Sequence, residues 1–170
     1  MLNAKVAELI NDQINKELYS AYLYLSFSDY FEDRGLGGFA NWYYIQAQEE
    51  RDHAMLFRKY LLNEGCKVKL TAIAGPDKEP ACDMDVLRFG LEHEEYVTSL
   101  IHNIYGAAYD IRDFRTMQFL DWFVKEQGEE ETNANDLITK MELYGSDPRS
   151  LYMLDQELAA RVYSAPSLVL

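Results

Sequence analysis

The sequence predicts an all-α protein, a four-helix bundle with one long crossover connection and a short fifth helix at the C-terminus. Apolar residues recur in steps of three and four along four long segments, as they do on helices that bury one face. Between the second and third of these segments, the helical period disappears for about 17 residues. Such a loop can reach roughly 55 Å, which exceeds the roughly 40 Å length of a helix of about 27 residues, so it can return the chain along the whole bundle.

Composition limits both the domain count and the class of partner. The chain has 170 residues with 48% apolar side chains, which suits one domain with a sizeable core. Its formal net charge of −13 argues against nucleic acid and favours cations as partners. No apolar run approaches the roughly 20 residues of a membrane span, and no N-terminal signal pattern is present. We therefore expect a cytoplasmic protein with no membrane partner. Two free thiols are the favoured interpretation of Cys66 and Cys82, although one bridge across the loop is conceivable.

The first two helices form a predicted antiparallel hairpin. Asn3 suits the N-cap of a first helix that runs to about Arg34. Glycines from position 35 to 38 break this helix and favour a short reversal. The second helix then runs from about Gly38 to Glu64, and Gly65 suits the position just after its end.

The third and fourth helices form the second predicted hairpin, after a crossover loop from Cys66 to about Cys82. Gly75-Pro76 and Pro80 exclude a helix within this loop. The third helix runs from about Asp83 to Asp110, and Ile111-Arg112 marks a tight reversal or a kink. The fourth helix runs to about Tyr144 and is ended by Gly145.

The fifth helix is the predicted assembly element. Asp147-Pro148 supplies an N-cap and a proline at the first helical position, and the helix is expected to run to about Tyr163. Its apolar stripe has no partner within the four-helix bundle, so we expect it to pack against neighbouring subunits near a symmetry axis. The chain thus divides into a bundle over 1–145 and a helix with tail over 146–170, both in one domain. The apolar stripe comprises Leu151, Leu154, Leu158 and Val162.

Each long helix interrupts its apolar stripe with metal-binding groups near its middle. Residue counts from the two reversals place these groups within one helical turn of the same depth, at ~1.5 Å per residue. The long crossover brings the two hairpins into register. The groups that converge on this layer are Glu17 from the first helix, Glu50 and His53 from the second, Glu94 from the third, and Gln127 and Glu130 from the fourth.

The composition of this layer indicates a pair of divalent cations. Carboxylates with one imidazole suit Fe(II), Mn(II) or Zn(II) rather than Cu(I). Four carboxylates balance two divalent ions, and an apolar interior tolerates the neutral sum but not the carboxylates alone. Glu50 is central and is the natural bridging ligand. Tyr24 lies one heptad beyond Glu17 and can donate a hydrogen bond to a ligand, and Trp122 is placed to wall the layer.

A second acidic set, Glu49, Glu126 and Glu129, lies beside the layer. These carboxylates can hold a third ion or conduct one away, although a run of acids is also typical of a solvated helix face. His93 and His102 lie off the inner stripes, so we expect both of them at the surface.

The motifs that carry these ligands resemble those of the ferritins, in particular the bacterial non-haem ferritins, over the whole chain. They are Glu17 with Tyr24, the run from Glu49 to His53, the pair His93-Glu94, and the run from Glu126 to Glu130. The resemblance implies hollow shells of 24 subunits that oxidise Fe(II) with O2 or H2O2 and store a ferric oxy-hydroxide mineral.

The resemblance also implies a role for each matched residue. Glu17, Glu50 and His53 would hold the first iron. Glu50, Glu94 and Glu130 would hold the second, with Gln127 as a nearby polar group. Glu49, Glu126 and Glu129, with Glu130 as a candidate fourth member, would form a third iron site, and Tyr24 would be the site tyrosine.

Two positions of this sequence differ from the motifs of the bacterioferritins, which carry haem. The fourth helix carries Gln127-x-x-Glu130 where bacterioferritins carry a second Glu-x-x-His, and Asp52 stands where bacterioferritin uses a haem-binding Met. No haem is therefore expected. The alternatives to an iron-oxidising store are a non-catalytic shell that nucleates mineral, and a di-iron oxygenase or peroxidase. An oxygenase would require a substrate cavity and typically a second imidazole, which these positions lack.

Overall fold

The computed structural model describes residues 2–170 and confirms the all-α prediction. Within those residues it contains five helices and no strand. No helix in this range is both long and apolar enough to cross a bilayer. The helices are α1 (Ala4–Asp33), α2 (Gly37–Asn63), α3 (Asp83–Asp110), α4 (Phe114–Tyr144) and α5 (Pro148–Ala159).

Short polar side chains cap the N-termini of three of these helices, and two of the caps, Asn3 and Asp147, are those that the sequence predicts. The Asn3 side chain accepts hydrogen bonds from the backbone N–H of Lys5 at 2.9 Å and of Val6 at 3.4 Å. Asp113 and Asp147 act in the same way at α4 and α5. Each cap satisfies backbone donors that the first turn of a helix leaves without a partner.

The connection between α3 and α4 is a reversal and not a kink. Arg112 has a φ of +57°, a left-handed conformation that ends a helix.

The long loop after α2 is held against α1, because Asn11 exchanges two hydrogen bonds with the backbone of Lys69 at 2.8 and 2.9 Å. Asn15 donates to the carbonyl of Ala72 at 3.0 Å. These contacts fix the crossover on which the register of the two hairpins depends.

The core consists of two apolar clusters. One contains Phe31 and Tyr43 and lies toward α5, and the other contains Ile10, Phe57 and Phe123. Most apolar residues that recur in steps of three and four along the long helices are buried. Tyr144, which continues this pattern in α4, is exposed because it is the last residue of the helix.

The fifth helix differs from the prediction in length and in partner. It ends at Ala159 instead of Tyr163, and Val162 lies beyond it and is exposed. Leu154 and Leu158 are buried in the same cluster as Phe39 and Met141 of this chain. The expectation that the apolar stripe of α5 lacks a partner within its own bundle is therefore wrong.

A buried carboxylate of α5 also caps α2. The N-terminus of α2 has no capping side chain of its own. Asp155 accepts hydrogen bonds from the N–H groups of Gly38 at 2.8 Å and of Phe39 at 3.1 Å. A Cβ atom on Gly38 would lie 1.7 Å from the Asp155 carbonyl oxygen, so glycine is required at this approach.

Candidate metal centre

Glu17, Glu50 and His53 form a compact group at the middle of the bundle. Each offers a ligand atom, and these atoms lie within 4.8 Å of one another. The side chains of Glu50 and His53 sit one turn apart on α2, with Glu50 Oε2 3.4 Å from His53 Nδ1. Glu17 approaches from α1 and accepts a hydrogen bond from Gln13 at 2.9 Å. Two carboxylates and an imidazole in this geometry can bind one divalent cation.

Glu94 enters the same layer from α3 and is held by two donors. The Tyr24 hydroxyl donates to Glu94 Oε1. The Gln127 amide donates to Glu94 Oε2 at 3.1 Å, and it also approaches the hydroxyl of Thr98 at 3.3 Å. Glu94 and Gln127 are both buried. Tyr24 thus has the donor role that the sequence predicts.

Glu130 enters from α4, and Gln46 of α2 holds it. The amide of Gln46 donates to Glu130 Oε2 at 2.6 Å, and both side chains are buried. Glu94 and Glu130 are the neighbouring charges that act most strongly on Glu50. Glu50 and Glu94 therefore link all six predicted groups. Among residues 2–170, Glu17, Glu50 and His53 are the group compact enough to offer three ligand atoms to one ion.

Burial dominates the electrostatics of this layer. The pKa of Glu17 is raised to about 8, mainly by desolvation and secondly by the charge of the Glu50 carboxylate. The pKa of Glu130 is also raised to about 8, mainly by desolvation and secondly by the charge of the Glu94 carboxylate. The pKa of Glu94 rises to about 7 through burial, against hydrogen bonds from Tyr24 and other donors that lower it. Burial together with Glu94 and Glu130 raises the pKa of Glu50 well above its ordinary range. A low-dielectric site disfavours the charged carboxylates, and a bound cation would reverse this.

Two buried oxygens in the layer test whether a cation fits. Oε2 of Glu17 and Oε1 of Glu50 have no hydrogen-bond partner. Buried polar atoms are almost always satisfied, and leaving one unsatisfied costs about 1–3 kcal/mol. Both atoms belong to the Glu17–Glu50–His53 group. A divalent ion there would be bound by oxygens that nothing else satisfies, so the donor set fits a metal.

The second acidic set is more open. Glu49 is half-buried, and Arg161 binds its Oε2 at 2.6 Å. Burial raises the pKa of Glu126, which is also half-buried. Glu129 is exposed and lies 3.4 Å from the ammonium of Lys125. The Glu126 carboxylate raises the pKa of Glu49, and Glu129 raises the pKa of Glu126, in both cases after the larger effect of burial. This set is nevertheless less compact than the first.

Aromatic rings enclose the imidazole side of the layer. The ring centroid of His53 lies 5.5 Å from that of Trp122 and 5.9 Å from that of Phe123, in both cases nearly edge-on. Trp122 therefore walls the layer as expected. Its indole N–H donates to Ser167 at 2.9 Å, so the C-terminal tail covers this wall from outside.

The two remaining histidines differ from each other. His102 is exposed, as predicted. His93 is half-buried against the rings of Tyr19 and Tyr24, and its Nε2 lies 2.7 Å from Ser20 Oγ. Burial lowers the pKa of His93 to about 4. The surface assignment of His93 is wrong because α1 packs over this face of α3. Both cysteines are free thiols.

Sequence reasoning missed three polar residues that hold the ligands. Gln13 lies one turn before Glu17 on the same face, a spacing that could have indicated it. Gln46 lies on the predicted inner stripe of α2, where a polar residue needs a partner. Arg161 reaches Gln46 and Glu49 across more than 110 positions, and no local signal indicates that contact.

Carboxylates and an imidazole in one internal layer of a four-helix bundle are typical of the metal-binding carboxylate bundles, of which the ferritin-like proteins are themselves the standard example. Comparison with known proteins identifies the family. The profile described as "Ferritin-like domain" matches residues 7–144. The chain belongs to the ferritin family, and iron storage is its function.

Relatives match nearly the whole chain. The bacterial non-heme ferritin of Staphylococcus saprophyticus is 35% identical over 96% of this chain and 98% of its own length. That of Campylobacter jejuni is 35% identical over 92% of this chain and 93% of its own length.

Solved structures match closely in backbone as well. An engineered closed form of the Archaeoglobus fulgidus ferritin has a TM-score of 0.94 and 42% identity, covering 96% of this chain and 100% of its own. The open-pore ferritin of the same archaeon has a TM-score of 0.92 and 43% identity, covering 95% of this chain and 100% of its own.

Proposed function

We propose that each subunit oxidises Fe(II) to Fe(III) at an internal di-iron site and passes the product to a ferric mineral inside a homo-oligomeric shell. The observation that carries this proposal is the pair of unsatisfied buried oxygens on Glu17 and Glu50, next to the imidazole of His53. Their arrangement supports a binding site for a cationic substrate in the middle of the subunit.

The residues divide between two substrate ions. Glu17, Glu50 and His53 bind the first Fe(II), and Glu50 bridges to the second. Glu94 and Glu130 complete the second position, with Gln127 holding Glu94 in place. Two Fe(II) ions supply two electrons, which with two protons reduce O2 to H2O2, or reduce H2O2 to two waters. Binding the ions displaces protons from the carboxylates, which can supply this demand.

The second acidic set extends the same function. Glu49, Glu126 and Glu129 lie beside the di-iron layer and face less buried surroundings. We assign them to a third iron site, through which the ferric product leaves for the mineral. Their partial exposure supports transit over permanent binding.

The assembly and its compartment complete the proposal. We infer a shell of 24 copies of this chain, supported by its likeness over nearly its whole length to proteins that are named ferritins. Two free thiols, on Cys66 and Cys82, suit a reducing compartment such as the cytoplasm. No membrane or nucleic acid takes part.

The small size of the internal cavity disfavours an oxygenase. The cavity beside Tyr24, Glu94 and Glu130 has a volume of about 20 Å³. A space of that size holds about one water and therefore suits O2 or H2O2 but not an organic substrate. A non-catalytic, nucleating shell would not need carboxylates in the interior of each subunit, where desolvation disfavours their charge.

Rapid mixing of Fe(II) with the assembled protein in air tests the proposal. We expect Glu50→Ala combined with His53→Ala to slow the absorbance rise of ferric product at least ~100-fold, since both positions of the pair lose ligands. Glu95→Ala combined with His102→Ala removes the same residue types from exposed positions and should leave the rate unchanged.

Iron stoichiometry separates oxidation from nucleation. Anaerobic titration should saturate two to three Fe(II) ions per subunit before any mineral grows. If the Glu50→Ala, His53→Ala protein oxidises iron as fast as wild type, the assignment of the site is wrong.

A further inference from the structure

Arg161, just beyond the end of α5, is bound on several sides by α2. Its Nη1 donates to Gln46 Oε1 at 2.9 Å and to the Trp42 carbonyl at 3.2 Å, and its Nη2 donates to Glu49 Oε2 at 2.6 Å. The guanidinium carbon lies 4.1 Å from the centroid of the Trp42 ring. Only 17% of the side chain is exposed. A guanidinium that is both hydrogen-bonded and stacked is held in one position.

These contacts place a fixed positive charge beside the di-iron layer. Because Arg161 donates to the amide oxygen of Gln46, the amide nitrogen of Gln46 is directed toward Glu130, to which it donates at 2.6 Å. The same arginine therefore touches Glu49 of the second acidic set directly and a ligand of the di-iron layer through one side chain.

We propose that Arg161 is a positioning residue that occupies Glu49 in the resting subunit and competes there with a third metal ion. The inference rests on the proposed function, since it concerns the set Glu49, Glu126 and Glu129. A cation that binds this set meets a guanidinium already paired with one of its three carboxylates. A cation bound to Glu49 and the guanidinium of Arg161 would repel each other, because both are positive and both would contact the same carboxylate. The third ion must therefore displace Arg161 or bind with two carboxylates only.

The competition at Glu49 predicts the order in which the three ion positions fill. Glu17 and Glu50 offer unsatisfied oxygens, whereas Glu49 is already neutralised by Arg161. The di-iron layer therefore fills first and the third position last. Arg161 also lies two residues before Tyr163, whose hydroxyl donates to Asp52, so displacing the arginine would disturb the tail that lies along α2.

Anaerobic calorimetry with Zn(II), which undergoes no redox change, tests the competition in the assembled full-length protein. Wild type should bind two ions tightly and a third weakly. Arg161→Ala should strengthen binding of the third ion about tenfold, because the competing charge is gone. Arg161→Lys retains the charge and should stay within about threefold of wild type. Combining Glu49→Gln with Arg161→Ala should abolish the gain.

Two controls separate charge from simple loosening. Tyr163→Phe frees the tail from Asp52 and keeps Arg161, and Arg149→Ala removes an exposed arginine from α5; neither should alter third-ion binding. Unchanged third-ion affinity in Arg161→Ala, or an equal gain in Tyr163→Phe, would overturn the inference. The proposed function fails separately, if Glu50→Ala with His53→Ala still binds the first two ions.

Discussion

At the residue scale, the carboxyl groups of Glu17, Glu94 and Glu130 behave unlike the same groups in water. Burial raises their pKa values to about 8, 7 and 8, from an ordinary value of 4.5. The folded, metal-free protein therefore retains protons at pH 7 that the unfolded chain has lost. Since the folded state binds more protons, stability falls as pH rises from about 4.5 to about 8.

The raised pKa values predict proton release when metal binds. Ligand carboxylates must be deprotonated, so Zn(II) binding at pH 7 should expel at least about two protons per pair of ions, given pKa values of about 8, 7 and 8 for Glu17, Glu94 and Glu130. The binding enthalpy measured in buffers of different ionisation enthalpy gives this number. It should decrease toward pH 9, where Glu17, Glu94 and Glu130 of the metal-free protein have already lost most of their protons. Glu17→Gln removes one titrating group and should reduce the release at pH 7, and a release that is absent at pH 7 would contradict the pKa shifts.

Sequence could predict the candidate ligands but not the groups that hold them. Glu17, Glu50 and His53 follow from helical period and from counting residues to a reversal, which depend only on α-helix geometry. The hydrogen bonds from Gln46 to Glu130 and from Arg161 to Glu49 depend on the path of the chain after α5. That path is fixed by tertiary contacts between residues far apart in sequence, which no periodicity encodes.

At the element scale, α5 is shorter than predicted, and α2 donates hydrogen bonds to the backbone around its end. The Asn41 side chain of α2 donates to the carbonyl of Leu158 at 3.4 Å and to that of Arg161 at 3.0 Å. The backbone N–H of Arg161 also donates to the Leu158 carbonyl at 3.1 Å, so Asn41 adds a second donor there and a donor to a carbonyl just beyond the helix. The apolar periodicity predicted a helix that includes Val162. Periodicity gives no information about hydrogen bonds from another helix to the end of α5.

The capping of α2 by Asp155 of α5 makes a prediction about stability. Asp155→Ala removes the acceptor of two buried N–H groups and should cost about 1–3 kcal/mol. Asp155→Asn retains an oxygen acceptor and should cost less. Denaturant unfolding followed by circular dichroism measures both.

Gln156→Ala is the matched control, since Gln156 is the exposed neighbour on the same helix and its loss should cost less than about 0.5 kcal/mol. Equal unfolding midpoints for Asp155→Ala and Gln156→Ala would show that the interhelix cap contributes nothing.

At the scale of the whole molecule, the topology was predictable because the loop length left few options. A crossover that spans the bundle makes α2 and α3 parallel, and the contacts of Asn11 and Asn15 with the loop bear out that path along α1. The placement of α5 was less predictable. Its stripe could be buried by a neighbouring subunit or by its own bundle, and the hydrophobic pattern is the same in both cases.

The predicted role of α5 in assembly would require its outer face. Its inner residues Leu154 and Leu158 are buried within the chain, while Tyr152 and Met153 are 60% and 62% exposed. Deleting 148–170 would also expose the apolar side chains of Phe39 and Met141 to solvent. A loss of assembly after this deletion could therefore not be distinguished from a loss of subunit stability. Substitutions on the outer face alone avoid that difficulty.

Tyr152→Lys combined with Met153→Lys should weaken the shell and leave the subunit folded. Exposed apolar side chains on a short helix are typical of subunit contacts, and charges placed there cannot be buried without a partner. Sedimentation velocity should show smaller oligomers, with helical circular dichroism unchanged. Ser99→Lys combined with Asn103→Lys adds the same two charges at exposed positions of α3 and should sediment as wild type. If the α5 variant also sediments as wild type, the outer face of α5 makes no assembly contact, and the shell must close through the surfaces of the four long helices alone.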